Sequence, residues 1–215
     1  MDFFKLFLLV HIIGGSLGLI SGTIVLALKK GGRNHKRVGS VFYWAMNVAG
    51  VSSLILAGLH SNHFLFIVGV FTLYMNLTGR VYLKFKRGNA VITLADKLPT
   101  FFMAIAAFLF VVLGAMILSK NSFGWVYLNF AIISIRFILS DYAFFRGKRK
   151  YANQWLLSHL QRMVGTYIAS VTAFLVVNVR LEPAVILWLG PTFLIVPLII
   201  YWSKKYRKAM PETAP

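Results

Sequence analysis

Seven apolar runs, each about as long as the hydrocarbon core of a bilayer is thick, leave this chain few ways to fold. A helix crossing that core needs about 20 mostly apolar residues, because each adds about 1.5 Å across about 30 Å of hydrocarbon. The runs are Phe3–Leu28, Val38–Leu59, Phe64–Leu83, Leu98–Leu118, Phe123–Phe145, Leu156–Asn178 and Pro183–Trp202. Of 215 residues, 59% are hydrophobic and only 13% charged, about half the charged share of an ordinary soluble domain. The expected fold is all-α: one polytopic membrane helical bundle over residues 1–202, with a polar cytoplasmic tail over 203–215, ending PETAP, that is expected to be frayed. With no cysteine in the chain, disulfides, thiolate metal sites and thiol redox chemistry are excluded.

The formal charge of +18 points to nucleic acid until its placement is considered. One side of the expected bundle collects Lys29, Lys30, Arg33, Lys36 and Arg37, then Arg80, Lys84, Lys86, Arg87 and Lys97. It also collects Arg146, Lys148, Arg149, Lys150 and Arg162, and finally Lys204, Lys205, Arg207 and Lys208. The other side has Lys5, Lys120 and Arg180. This is the positive-inside bias, which puts the crowded side in the cytoplasm, the N-terminus outside and the C-terminus inside. A basic inner rim attracts anionic lipid headgroups, so membrane lipids are the expected partners and nucleic acid is not.

The first run is too long, and too closely followed by basic residues, to be a cleaved secretory signal. The outer loops His60-Ser61-Asn62-His63 and Lys120-Asn121-Ser122 are so short that consecutive helices must be antiparallel neighbours. Pro99 is expected at the start of the fourth helix, where a missing donor costs nothing. Gly190-Pro191 and Pro197 predict a kink in the last helix. NHKRVGSVFY opens the second helix and SHLQRMVGTY the sixth. The two are a short internal echo of the kind that parallel repeats leave in some transporters.

Ionisable groups inside a membrane are the default place to look for function, since burying one unpaired is expensive. His11 stands above Gly14, Gly18 and Gly22 on one narrow helix face. Small residues four apart admit a neighbouring helix, a second copy of the chain or a flat ligand close to the backbone. A homodimer through Gly14, Gly18 and Gly22 is therefore one expectation. A haem b or a divalent metal held by His11, His60 and His63 on the outer side is another. On the inner side, His35, Asp96, Asp141 and His159 occur at similar depth and can form a divalent metal site. Alternatively, they pair with Lys36, Arg37, Lys97 and Arg162.

Arg136 lies near the middle of the fifth helix, too deep to reach water easily, and shares a face with Asn129. It is expected to find a partner on another helix, a water-filled cavity or a bound anion. Arg136, Asn129 and Arg162 are thus candidates for a substrate or ion path. Asn47, Asn76, Thr166, Tyr167 and Thr172 can extend it as a polar line.

The stretch KKGGRNHKRVGSVFYWAMNVAGVSSL, with upstream His11 and downstream SHLQRMVGTYIASVTAFLVVN, resembles an uncharacterised family of bacterial predicted membrane proteins. There a basic, Gly-containing loop is followed by His-Arg-x-x-Gly and a Tyr-containing helix. Here the motif reads His35-Lys36-Arg37-Val38-Gly39. The resemblance implies a multi-pass bundle of the bacterial inner membrane and carries no activity. More loosely, histidine-bearing helices with glycine faces are similar to b-type cytochrome membrane bundles. Seven-helix membrane hydrolases with an inner zinc site differ, because His159 is followed four residues later by Met163. Nucleophile elbows, phosphate-binding loops and His-Glu-x-x-His do not occur. Three readings stay open: a redox or metal-binding protein, a transporter or lipid-handling bundle, and a structural or assembly protein.

Overall fold

A computed structural model describes residues 2–60, 62–87 and 90–208, with Arg87 described by its backbone alone. Among the described residues the helices are α1 (Phe3–Ala27), α2 (Arg33–Leu59), α3 (His63–Val81), α4 (Leu94–Leu118), α5 (Gly124–Phe145), α6 (Gln154–Asn178) and α7 (Val185–Tyr206). A short 3₁₀ helix, Tyr82–Arg87, extends α3. All seven α-helices are long and apolar enough to cross a membrane. The chain is an integral, multi-pass helical membrane protein.

Expected and observed boundaries agree closely at the sparsely charged end and part at the basic end. There α2 begins at Arg33 instead of Val38, α4 at Leu94 instead of Leu98, and α7 runs to Tyr206 instead of Trp202. Hydropathy stops where lipid stops, whereas backbone hydrogen bonding continues wherever a cap allows it. For α4 that cap is a capping box: Thr93 N–H and Oγ1 donate to Asp96 Oδ2 at 3.0 and 2.8 Å. The earlier start puts Pro99 past the first turn, so its missing donor falls inside the helix and not at its free edge. Pro191 and Pro197 also lie within α7. Gly31 (φ 78°) and Gly147 (φ 74°) turn the chain at the basic end in a conformation that side chains disfavour.

The start of the tail is anchored, contrary to the expected fraying. Asn153 Nδ2 donates to Tyr206 O at 2.6 Å, and Lys208 N–H donates to Asn153 Oδ1 at 3.1 Å. Arg207 donates to the Tyr151 hydroxyl at 3.0 Å. The PETAP segment lies outside the described residues.

Packing centres on α3, which touches α2, α4 and α6. α4 and α5 form a hairpin, α1 lies along α2 with a lesser contact to α6, and α7 lies along α6. At the sparsely charged end the core is aromatic. The ring of Phe64 lies 4.5 Å from Tyr127, 4.8 Å from Trp188 and 5.2 Å from Phe123, centroid to centroid. The outer faces carry Phe108, Ile132, Phe193 and Leu194, each about two-thirds exposed or more, a surface that lipid tolerates and water does not.

The glycine face of α1 is filled within the chain. Gly14 rests on the α2 backbone: a methyl added there would stand 3.1 Å from Ala49 N and 3.2 Å from Ala45 O. Gly18 meets Met46, and Gly22 meets Phe42 and Tyr167. The surface assigned above to a homodimer is therefore occupied by α2 and α6. Gly14→Ile should lower stability by about 1–3 kcal/mol through overpacking, read as a lower thermal midpoint in detergent. Gly15→Ile, at a position where an added methyl meets nothing within 4 Å, should lower that midpoint far less.

Candidate functional site

Asp141 lies about one turn from the basic end of α5, and a bare carboxylate at that depth needs a donor for each acceptor site. The fold supplies four. Tyr74 of α3 donates to Oδ2 at 2.5 Å and Thr100 of α4 to the same oxygen at 3.0 Å. Tyr82 of the 3₁₀ helix donates to Oδ1, as does Arg162 Nη2 of α6 at 2.5 Å. Asp141 is 0% exposed and Arg162 1%.

The guanidinium is equally enclosed. It donates to Phe137 O at 3.1 Å and to Met75 Sδ at 3.6 Å, and it lies 3.9 Å from the Phe137 ring and 4.9 Å from that of Tyr74. Helical geometry explains how the two charges meet. Arg162 is about 12 Å along α6 from its start, and Asp141 about 6 Å from the end of α5. Side chains lean toward their own helix N-terminus, so in these antiparallel helices Arg162 leans toward the basic end and Asp141 away from it.

A second ion pair lies on the same seam. Lys84 of the 3₁₀ helix donates to Asp96 Oδ1 at the start of α4. The α4–α5 hairpin thus carries Asp96, Thr100 and Asp141, while the rest of the bundle presents Tyr74, Tyr82, Lys84 and Arg162 to it. α5 packs along α4, and α6 along α3 and α7. The Asp141–Arg162 pair bridges the two groups.

The inner set expected from sequence divides. Asp141 pairs with Arg162, one of the cations weighed for it, whereas Asp96 takes Lys84 and not Lys97. His159 Nδ1 bonds Gly79 O at 2.7 Å. Nδ1 of His35 is buried without a hydrogen-bond partner among the described residues. No group of three or more His, Asp or Glu side chains able to share a metal ion occurs among the described residues.

The outer histidines do not converge. His11 Nδ1 bonds Ala49 O at 2.9 Å and Ser52 Oγ at 3.3 Å, about two-thirds of the way along α2. His60 meets the Phe4 ring edge-on at 4.5 Å and sits about 12 Å further along α2 than Ser52. His63 is exposed beside a shallow depression formed with Ala57, Gly58, Asn62 and Phe66.

Arg136 stands away from this site. It is exposed and has no hydrogen-bond or ion-pair partner among the described residues. The buried stripe of α5 runs through Tyr127, Phe130, Ser134 and Asp141, and Arg136 points to the opposite side. Asn129 donates to Trp125 O at 2.8 Å. The residues of the expected polar line form separate bonds, some within one helix and some between helices. Asn47 and Asn76 both donate to Tyr43 O at 2.9 Å, Thr166 donates to Arg162 O at 3.0 Å, and Tyr167 bonds Thr23 at 2.8 Å.

Fold and site together define a multi-pass helical bundle held at its basic end by a buried ion pair, Asp141–Arg162, and by a second pair, Lys84–Asp96, whose lysine is exposed. No protein-family model, curated protein or solved structure matches the chain.

Tyr74, Tyr82 and Thr100 were not singled out in the sequence. Thr100 alone left a trace there, one turn after Asp96 on the same helix face. Replacing Arg162 by Met strands a buried carboxylate and should cost about 3–5 kcal/mol. The double replacement Asp141→Leu/Arg162→Met should recover only part of that loss, because it removes the stranded charge but leaves the Tyr74, Tyr82 and Thr100 hydroxyls without their acceptor. Chemical denaturation in detergent measures both.

Proposed function

We propose that this protein is a membrane carrier whose α4–α5 hairpin rocks against the remaining helices, opening at the basic end. The observation that carries this reading is the asymmetry of one seam. Its basic end is held by Asp141–Arg162 and Asp96–Lys84, whereas its other end is held by the aromatic cluster around Phe64. An apolar replacement for a buried ion pair is often as stable as the pair or more so, which makes a switch the better reason for charges at this depth. Ion pairs part in one step once a competing charge or water arrives, while interlocked rings give by small rotations. The substrate class that fits is a small anion, because an anion competes with Asp141 for Arg162. Arg136 and the proline-bearing α7 are not part of this device. In this reading the basic end faces the cytoplasm of a bacterial inner membrane, with the N-terminus outside.

A second reading, redox or metal binding, is favoured by one local feature. His11 and His159 each bond a backbone carbonyl through Nδ1, an arrangement that frees Nε2 for coordination. A Soret band or stoichiometric metal in purified protein, lost in His11→Ala or His159→Ala, would support it. Colourless, metal-free protein would remove it.

The absence of cysteine makes the carrier reading directly measurable. Ser134→Cys places a thiol on a fully buried position of α5. A membrane-impermeant maleimide applied from the basic side should label it at least about ten times faster when Arg162→Gln and Lys84→Gln are added. Equal rates in variants that stay folded by circular dichroism and size-exclusion chromatography would count against a gate.

A further inference from the structure

A groove of about 790 Å³ runs along the outer face of the bundle between α1 and α2. Its walls are Val10, Ile13 and Leu17 on one side and Val41, Trp44 and Val48 on the other, with Gly14 and Ala45 in its lining. At its basic end stand Arg37 and Ser40. Arg37 is exposed and has no hydrogen-bond or ion-pair partner among the described residues.

We infer that this groove is a binding site for one anionic phospholipid of the leaflet facing the basic end. Its phosphate lies on Arg37 and Ser40, and one acyl chain lies along the α1–α2 cleft. The dimensions argue for a single leaflet. From Arg37 to Val48 the helix rises about 16 Å, half of the about 30 Å that hydrocarbon spans. The charge argues for an anion: a guanidinium forms paired hydrogen bonds with phosphate oxygens, and Ser40 adds a hydroxyl one turn further on. A second copy docked here about a twofold axis along the membrane normal would bring Lys36 and Arg37 of both chains together. Like charges oppose that arrangement. The inference is independent of the rocking hairpin, since neither α4 nor α5 lines the groove.

Trp44, 61% exposed and about 10 Å along α2 from Arg37, reports occupancy. The test uses the full chain in nanodiscs with phospholipids brominated on the acyl chain, and Trp44→Phe isolates the Trp44 signal. Brominated phosphatidylglycerol should quench Trp44 at a mole fraction about fivefold lower than brominated phosphatidylcholine, the effect of one basic residue at an anionic surface. Arg37→Gln should abolish the difference with the melting temperature unchanged, and Arg37→Lys should retain part of it. Equal quenching by the two lipids, or a preference that survives Arg37→Gln, overturns the site. Inorganic phosphate that removes the preference at constant ionic strength, when sulfate does not, overturns the lipid as occupant in favour of the free anion. Burial of Trp44 in a dimer, seen by size exclusion and independent of lipid type, overturns it in favour of a second copy.

Discussion

A carboxylate and a guanidinium that have left water depend on each other and on every donor and acceptor around them. At Asp141 that dependence recruits a tyrosine from α3, another from the 3₁₀ helix, a threonine from α4 and an arginine from α6. Displacing any of these elements by an ångström or two would leave a charged atom short of a partner in a medium that supplies none. The pair therefore fixes relative helix positions that lipid-facing apolar surface cannot, because leucine is as well solvated by lipid as by leucine. Geometry that hydrophobic burial sets in a soluble protein is set here by a few polar atoms.

The remaining packing is organised around that seam. α1 and α2 approach backbone to backbone at Gly14, over Ala45 and Ala49, while Gly18 and Gly22 make room for the Met46 and Phe42 side chains. α3 is central and carries both an aromatic end and a polar end, with Phe64 and Tyr74 about 15 Å apart along one helix. The α4–α5 hairpin meets the bundle through rings at one end and charges at the other. The two ends resist separation by different physics. Ring contacts are short-ranged and lose much of their energy within about an ångström of separation, while an ion pair attracts over a longer distance until water or a competing charge replaces one partner.

Much of the fold was legible in the sequence, because lipid imposes one rule on every residue that crosses it. Run length located the helices and the placement of lysine and arginine gave them a common basic end. Boundaries near charge were missed for a physical reason: the Thr93–Asp96 cap carries α4 beyond the hydrocarbon, and hydropathy does not register caps. The site was legible in part. Asp141 and Arg162 were singled out because charges at that depth are expensive, but their tyrosine and threonine donors depend on which helices are neighbours. Arg136 shows the converse. Its depth suggested a partner on another helix, a water-filled cavity or a bound anion, but depth does not say which face of the helix carries it, and that face is the one opposite Asp141.

The first and last helices meet at the basic end. Lys30 curls back to donate to Val25 O and Leu26 O at the end of α1 and lies 4.2 Å from the Trp202 ring, while Leu26 packs in the cluster that holds Ile199 and Trp202. During synthesis α1 leaves the ribosome well before α7, so the contact of Lys30 with Trp202 has to wait for α7. Until then Leu26 has its α6 neighbours in that cluster but not Ile199 and Trp202, and the basic end of α1 is sealed only once α7 is in place.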